Sequence, residues 1–173
     1  QTSDGEYILG GTSNSNISAS KTENSNGGSD YWIIKLFSYW QNTLGGSLDD
    51  ILSSIQQTTD GGYILGGYSK SNISGDKTEN SNGDYDNWTI KTDASGSIQW
   101  QNTLGGGSYD LLTIIQQTND GGFILGGSSK SNISGDKTAN VKGDYDYWIV
   151  KVDGNGKCPV PYSGLTVTNI TSN

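Results

Sequence analysis

The chain has 173 residues and a net charge of −8, and its ten basic residues are all lysines. This length suits one ordinary domain. An acidic chain without a basic patch excludes nucleic acid as a partner, since phosphate binding needs clustered positive charge. The absence of histidine excludes a Ser-His-Asp triad and an imidazole metal site, and no apolar run is long enough to span a membrane.

Composition and patterning point in different directions on whether the chain folds. The content of large aliphatic residues is low enough, together with the charge, to suit disorder. However, five tryptophans and ten tyrosines occur in step with an internal repeat. Short runs also alternate apolar with polar residues, as half-buried strands require. The sequence therefore predicts an all-β protein.

The repeat begins with residues 3–11, which return with small changes as residues 59–67 and 119–127. A fixed period of this kind indicates a solenoid, a propeller or an array. The first copy is shorter than the second, because residues 35–40 lack the Asp-Ala-Ser-Gly turn that the second copy has.

The second copy is complete and predicts four short strands joined by turns rich in Gly and Asp. Trp88 and Ile90 fall on one face of its second strand, and Ile98 and Trp100 are predicted to face inward on the third. Between the first two strands lies a long stretch of Ser, Asn, Gly and Asp, which is typical of a loop. The predicted strands are residues 62–69, 87–92, 97–104 and 111–118.

The third copy has two predicted strands, at residues 123–128 and 147–152, and the pattern ends after residues 153–157. The whole chain thus predicts about ten strands, or about two and a half four-stranded units. Four short strands per copy are typical of a β-propeller blade, whereas a β-sandwich does not require internal repetition. Because propellers close with about four to eight blades, we expect further blades from the same or another chain, or self-association.

The residues after the repeat have a different character. Pro159 and Pro161 end the blade pattern, and the following segment resembles the opening strand of a fibronectin type III module. Cys158, the only cysteine, is interpreted as a lone small residue near a domain border, with a disulfide outside this segment or a reactive thiol as alternatives. The predicted domains are propeller repeats at 1–156 (copies 1–58, 59–118 and 119–156), a linker at 157–164 and the start of a fibronectin-like module at 165–173.

Several motifs of the second copy resemble the bacterial β-propeller repeat often labelled SBBP. They are the Asp-Gly-Gly-Tyr turn and strand at 60–67, the loop and aromatic strand at 82–91, the Asp-x-x-Gly turn at 93–96 and the Trp to Leu-Gly-Gly segment at 100–106. The Ser-Asn-Ile-Ser-Gly-Asp-Lys-Thr version is similar to repeats of large secreted proteins of Bacteroidetes. The resemblance implies a propeller fold and secretion or display at the cell surface, and it implies no single activity.

Pairs of acidic residues could in principle carry out glycoside hydrolysis. These pairs recur with the repeat, whereas a catalytic site seldom occurs once per blade, and no apolar surroundings are evident that would raise one pKa. The sequence therefore predicts a protein that is not an enzyme. The pairs are Asp49 with Asp50, Asp84 with Asp86, and Asp144 with Asp146.

Calcium is the strongest chemical hypothesis, because oxygen ligands recur at alternate positions of the long polar loop, as a hard cation needs. The spacing departs from a helix-loop-helix calcium loop, since Lys91 stands where a bidentate glutamate would. The alternative is a polar loop whose Asn and Asp side chains hydrogen-bond to nearby backbone. The candidate ligands are Asp76, Asn80, Asn82, Asp84 and Asp86 in the second copy and Asp136, Asn140, Asp144 and Asp146 in the third.

Tyrosines in the loops indicate a carbohydrate site, because sugar rings stack on aromatic faces and hydrogen-bond to Asn and Asp. Trp88, Trp100 and Trp148 occupy strand positions and are interpreted as core. For the tyrosines, packing between blades is the alternative interpretation. The candidate ligand-binding residues are Tyr68, Tyr85, Tyr109 and Tyr145.

These observations give three hypotheses for function. The first is a secreted or cell-surface recognition or adhesion module that binds a glycan or a surface protein and is stabilised by calcium. The second is a structural spacer within a large multidomain protein, and the third is an accessory segment of a secreted hydrolase. Exposed aromatics repeated in one loop would favour binding, and loops that fold back and seal would favour the spacer.

Overall fold

A computed structural model describes residues 1–158, which form an all-β structure of ten strands in three antiparallel sheets, with no helix in that range. The predicted fibronectin-like start at 165–173, and the predicted linker from residue 159 onwards, lie outside the described residues.

The strands predicted for the second and third copies are confirmed to within one residue at each end. Alternating apolar residues and the Asp-Gly turns between them gave these bounds. The strands are β1 (Tyr7–Ser13), β2 (Asp30–Leu36), β3 (Trp40–Leu44), β4 (Asp50–Gln57), β5 (Tyr63–Ser69), β6 (Asp86–Thr92), β7 (Ile98–Leu104), β8 (Asp110–Gln117), β9 (Phe123–Ser129) and β10 (Asp146–Val152).

Each sheet is a meander in which neighbouring strands pair antiparallel. The first sheet has the order β1-β2-β3, the second β4-β5-β6-β7 and the third β8-β9-β10. Strands β4 and β8 therefore each pair with the copy that follows them, although they end the copy that precedes them in the sequence. The boundaries of the sheets are offset by one strand from the boundaries of the sequence copies.

The Asp-Gly turn has the same structure at each occurrence. Gly61 has a φ of 84°, a value that glycine adopts without strain, and the Asp60 carboxylate accepts the N–H of Gly62 at 3.1 Å. The Nζ of Lys91 lies 2.9 Å from the same carboxylate and attaches the turn to β6. The equivalent ion pairs are Lys35 with Asp4 and Lys151 with Asp120.

The three sheets are stacked face to face, and β4 and β8 make most of the contact between them. Strand β4 packs on β1 and β2, and β8 packs on β4, β5 and β6. We call the face of a sheet that looks towards the next sheet along the chain its front face and the opposite face its back face. Tyr31 and Ile33 lie on the front of the first sheet, and Leu65 and Ile90 lie on the back of the second.

A bulge in β4 and in β8 places two apolar residues on one face. The register shifts between Leu52 and Ser54 and again between Leu112 and Ile114. Without the bulge, residues three positions apart on a strand would lie on opposite faces. With it, Leu52 and Ile55 both lie on the back of the second sheet, and Leu112 and Ile115 do the same on the third.

Two cores result, one in each gap between sheets. The first contains Tyr31, Ile33, Leu65, Trp88 and Ile90, all fully buried, with Leu52 and Ile55 packed against them. The second contains equivalent residues of the second and third sheets. Its buried members are Ile64, Leu104, Leu112, Ile115, Phe123, Leu125 and Val152.

The tryptophans occupy these cores to different degrees. Trp88 is fully buried, whereas Trp100 and Trp148 are half-buried and pack against the second core. Ile98, which was expected to face inward, is exposed over 37% of its surface and borders an open groove between the first and second sheets. A bulge in β7 pairs Trp100 with Lys91 and Ile98 with Thr92, so the two side chains lie on opposite faces of the sheet and the prediction that both face inward was wrong for Ile98.

Candidate recognition site

Three of the four candidate tyrosines lie together. The ring centroids of Tyr68 and Tyr85 are 5.5 Å apart and nearly perpendicular, and those of Tyr85 and Tyr109 are 5.9 Å apart. Tyr68 is on β5, Tyr85 precedes β6 and Tyr109 precedes β8. We call these three residues the tyrosine cluster.

Stacking of the sheets brings these residues together. The N–H of Asp110 donates to the carbonyl of Tyr85 at 2.6 Å, so β8 begins beside the start of β6 in the neighbouring sheet. Tyr109 and Tyr85 are consequently adjacent in space, although 24 positions apart in the sequence. The three residues are only half-buried, so each keeps part of its surface exposed to solvent.

Tyr85 lies between an acidic and a basic side chain. Its hydroxyl donates to the Asp49 carboxylate at 3.4 Å, and the Nζ of Lys70 lies 5.7 Å from the centre of its ring. Burial, and then the Asp49 carboxylate, raise the pKa of Tyr85 above its ordinary value. The hydroxyl therefore stays protonated at neutral pH and remains a hydrogen-bond donor.

Tyr145, the fourth candidate, is placed apart from the tyrosine cluster. It is exposed, the Nζ of Lys130 lies 5.4 Å from its ring, and Lys130 pairs with Asp144 at 2.6 Å. Tyr145 is the equivalent of Tyr85 in the third copy, and the first copy has Ser29 at that position. The aromatic position is therefore repeated in two copies of three.

The tyrosine cluster offers what a polar ligand with apolar faces needs. Partly open aromatic rings supply stacking surface, and a carboxylate, an ammonium group and phenol hydroxyls supply donors and acceptors beside it. This combination suits a sugar ring or an exposed polar segment of a protein surface.

The candidate calcium ligands of the second copy bind backbone and side-chain N–H groups. The buried carboxylate of Asp86 accepts the N–H groups of Asn82 and Gly83. The Asp76 carboxylate accepts the N–H of Gly45 at 3.2 Å and an amide N–H of Asn26 at 2.8 Å. These oxygens cap turns and join adjacent sheets.

The other members of the predicted set are placed in the same way. Asn80 and Asn140 accept the N–H groups of Ile73 and Ile133, and the Asn82 amide donates to the carbonyl of Gly105. Asp136 accepts the N–H of Gly105 at 3.0 Å, Asp146 accepts that of Lys142, and Asp144 pairs with Lys130. Asp84 is exposed, and only its backbone N–H is bonded, to Ser108.

Across residues 1–158, no group of three or more Asp, Glu, His or Cys side chains is placed to hold a metal ion. The hydrogen bonds agree with the alternative interpretation of the loop as a set of Asn and Asp caps. Calcium binding stays a prediction.

The long loop also contains a buried lysine that the sequence did not single out. Lys77 is 1% exposed, and its Nζ donates to the Thr103 hydroxyl at 2.6 Å and to the Glu79 carbonyl at 2.8 Å. The ammonium also lies 5.8 Å from the ring of Trp88. Burial lowers the pKa of Lys77 to about 8.

Equivalent lysines, Lys21 and Lys137, are buried in the first and third copies. The recurrence of a Lys-Thr pair in every copy is the signal that could have identified this position. The long loop therefore folds back and closes over the strands beside it.

In each acidic pair considered for hydrolysis, the second carboxylate is more buried than the first. Asp50 is fully buried, accepting the Gly46 N–H at 2.7 Å and the Ser71 hydroxyl at 3.0 Å, while Asp49 is half-buried and faces Tyr85. Asp110 repeats the role of Asp50. Each buried carboxylate holds the loop that precedes its strand, and none of them borders an open cleft.

Residues 1–158 contain no helix long and apolar enough to cross a membrane. No protein-family model matches this chain, and a search of curated proteins finds no match.

Proposed function

We propose that the chain is a non-enzymatic recognition module of a secreted or cell-surface protein, and that the tyrosine cluster is its binding surface. The observation that carries the proposal is the convergence of Tyr68, Tyr85 and Tyr109 from two neighbouring sheets, with Asp49 and Lys70 beside them. If these tyrosines served only to pack the sheets together, we would expect them to be fully buried, whereas all three are only half-buried.

We also propose that the three sheets are consecutive blades of a β-propeller. Each is a short antiparallel meander, and the front faces of the first and second sheets lie against the back faces of the second and third. Close packing of neighbouring sheets at Gly10 of β1 and at Gly66 of β5 supports this arrangement. Residues 1–158 supply one four-stranded and two three-stranded sheets, so a closed ring needs further units.

A glycan array tests the recognition proposal. We expect binding to one class of sugar that Tyr85→Ala removes and Tyr85→Phe weakens, because the second variant keeps the ring and loses the hydroxyl that meets Asp49. Tyr147→Ala is the matched control, since Tyr147 is 94% exposed and lies outside the tyrosine cluster. Equal losses in the Tyr85 and Tyr147 variants would contradict the site.

A structural spacer is the second candidate function, and the buried lysine of the long loop favours it. A loop closed by Lys77 and its hydrogen bonds has less surface to offer a ligand. If the chain is a spacer, we expect no binding on the glycan array. Tyr85→Ala would then reduce only the stability of the protein. Neither candidate requires calcium.

A further inference from the structure

Nothing in residues 1–158 covers the front face of the third sheet, although β4 and β8 cover the same face of the other two sheets. Tyr147 and Ile149 are exposed over 94% and 67% of their surfaces. Tyr31 and Ile33, at the equivalent positions of the first sheet, are both 0% exposed. Ile124 is likewise 40% exposed, whereas its equivalent Ile64 is fully buried.

The covered faces show what this surface accepts. On the first sheet, Leu52 and Ile55 of β4 lie so close to Gly10 that a Cβ there would be 2.8 Å from the Leu52 Cδ2. On the second sheet, Leu112 and Ile115 of β8 take the same place above Gly66. In both gaps the covering element is a strand with Leu and Ile three residues apart, brought to one face by the bulge.

Hydrogen bonds fix the covering strand in each gap. The N–H of Leu52 donates to the Thr12 hydroxyl at 3.1 Å, and the N–H of Gln117 donates to the side-chain carbonyl of Gln56 at 3.0 Å. The Tyr31 hydroxyl donates across the first gap to the carbonyl of Trp88 at 3.0 Å.

The third sheet retains each of these features. Gly126 occupies the position of Gly10, with only the Ile114 side chain of its own sheet near it. Ser128 stands where Thr12 does, and Gln116 where Gln56 does. Gly126 and Ser128 border a shallow apolar groove of about 350 Å³ together with Tyr147 and Ile149, and Gln116 borders an adjoining groove of about 200 Å³.

Tyr147 and Ile149 are the residue types that a covering strand meets on the first sheet. The first sheet has Tyr31 and Ile33 on its front face and is covered by β4, whereas the second has Asn87 and Thr89 and is covered by β8. The third sheet therefore presents the surface that β4 covers.

We propose that this front face binds a further unit of the same repeat, through a strand with the motif Asp-(Ile or Leu)-Leu-x-x-Ile-Gln-Gln that β4 and β8 share. A second copy of the chain does not provide that strand, because β4 and β8 already cover its own first and second sheets. Residues 157–173 do not contain the motif either. The proposal rests on the proposed stacking of the sheets as consecutive blades, and it is independent of ligand recognition at the tyrosine cluster.

An extended chain tests the proposal. Residues 97–156 are repeated after Gly156, which continues the sequence in register because 153–156 is the equivalent of the turn at 93–96. The added segment brings a covering strand with its own Leu112 and Ile115. We expect a single unfolding transition with a higher midpoint than that of the original chain.

Substitutions on the two sides of the new contact identify the face. Ile149→Asp is expected to change the midpoint of the original chain by less than about 2 °C and to lower that of the extended chain by roughly 6 to 12 °C. Ile133→Asp is the matched control, because Ile133 is 62% exposed in a loop away from this face, and it should behave alike in both chains.

A double-mutant test distinguishes two arrangements of the added segment. In one it covers the front face of the third sheet, and in the other it only pairs with the edge of β10. Leu112→Asp in the added segment should lower the midpoint, and combining it with Ile149→Asp should add little further loss. Independent unfolding of the added segment, or an extended chain indifferent to Ile149→Asp, would overturn the proposal. So would a dimer of the original chain that Ile149→Asp dissociates in sedimentation, because a second copy would then occupy the face.

Discussion

At the scale of single residues, the equivalent glycines Gly10 of β1 and Gly66 of β5 set how closely two sheets approach. A Cβ at Gly66 would lie 2.3 Å from the Cδ2 of Leu112, a distance that no real contact tolerates. The equivalent Gly126 has only the Ile114 Cγ2 near it, at 3.3 Å, and Ile114 is itself exposed. The same residue type is thus required in one sheet and optional in another.

Gly66→Ala is expected to reduce the free energy of unfolding by roughly 1 to 3 kcal/mol, because the methyl group forces β5 and β8 apart. Gly126→Ala should change it by less than about 1 kcal/mol, since alanine also lowers the entropy of the unfolded chain. Urea unfolding of the two variants measures the difference. Equal effects of the two substitutions would show that the second and third sheets pack less tightly at Gly66 than the 2.3 Å distance indicates.

A buried carboxylate makes stability depend on pH. Burial raises the pKa of Asp86 to about 6, so the folded chain binds this proton more tightly than the unfolded chain does. The stability that this group contributes is therefore present at low pH and is lost as pH rises from about 4 to about 6.

Asp86→Asn should stabilise the protein at pH 7, by at most roughly 2 to 3 kcal/mol, because the amide oxygen still accepts the N–H groups of Asn82 and Gly83 without a buried charge. It should also flatten the fall in stability between pH 4 and 6, leaving the part due to Asp50 and Asp76, whose pKa values burial also raises. Thermal unfolding across this range is the measurement, with the exposed Asp84→Asn as control. An unchanged pH profile would show that Asp86 titrates normally.

At the scale of strands and turns, local signals were sufficient for the strand bounds but not for the partners. Alternating residues and Asp-Gly turns predicted β5 to β10 closely, because both signals act between near neighbours. Strand β8 joins the same sheet as β9, and a bulge turns its Leu112 and Ile115 to one face. Both features depend on packing against β5 and β6 of the neighbouring sheet. Burial of Lys77 within a polar segment has the same tertiary origin.

The turn between β2 and β3 shows the cost of the four residues missing from the first copy. Phe37 has a φ of 76°, a conformation unfavourable for residues other than glycine, and its side chain is 79% exposed. Phe37→Gly should therefore raise the free energy of unfolding by about 0.5 to 1 kcal/mol, while Phe37→Ala should not. Guanidinium unfolding compares the two, and a loss of stability in the glycine variant would show that the Phe37 ring packs in solution.

At the scale of the whole molecule, each core belongs to two sheets, so the units depend on their neighbours. The tyrosine cluster follows from the same stacking, because Tyr109 reaches Tyr85 only across a gap between sheets. The sequence identified these tyrosines as candidates and could not show that three would meet while Tyr145 stays apart. Their meeting depends on the offset of one strand between sequence copies and sheets.

Chelation tests whether the loops need a cation in the whole protein. We expect excess EDTA to leave the unfolding midpoint unchanged within about 1 °C, because Asp76, Asp86 and Asp136 already accept N–H groups. Added calcium should likewise have no effect. A midpoint that falls with EDTA and recovers with calcium, but not with magnesium, would support the calcium hypothesis instead.

The offset between copies and sheets also has a consequence for how such a chain can change over generations. Each full sheet takes its first strand from one sequence copy and the rest from the next. Recombination between equivalent points of two copies removes or inserts one whole period, and the Leu and Ile of every covering strand still meet a glycine at the equivalent position of the sheet they cover. Chains of this type can therefore vary in length by whole units without a defective joint, whereas an insertion of any other length within a strand would displace a bulge and its Leu and Ile from the gap they fill.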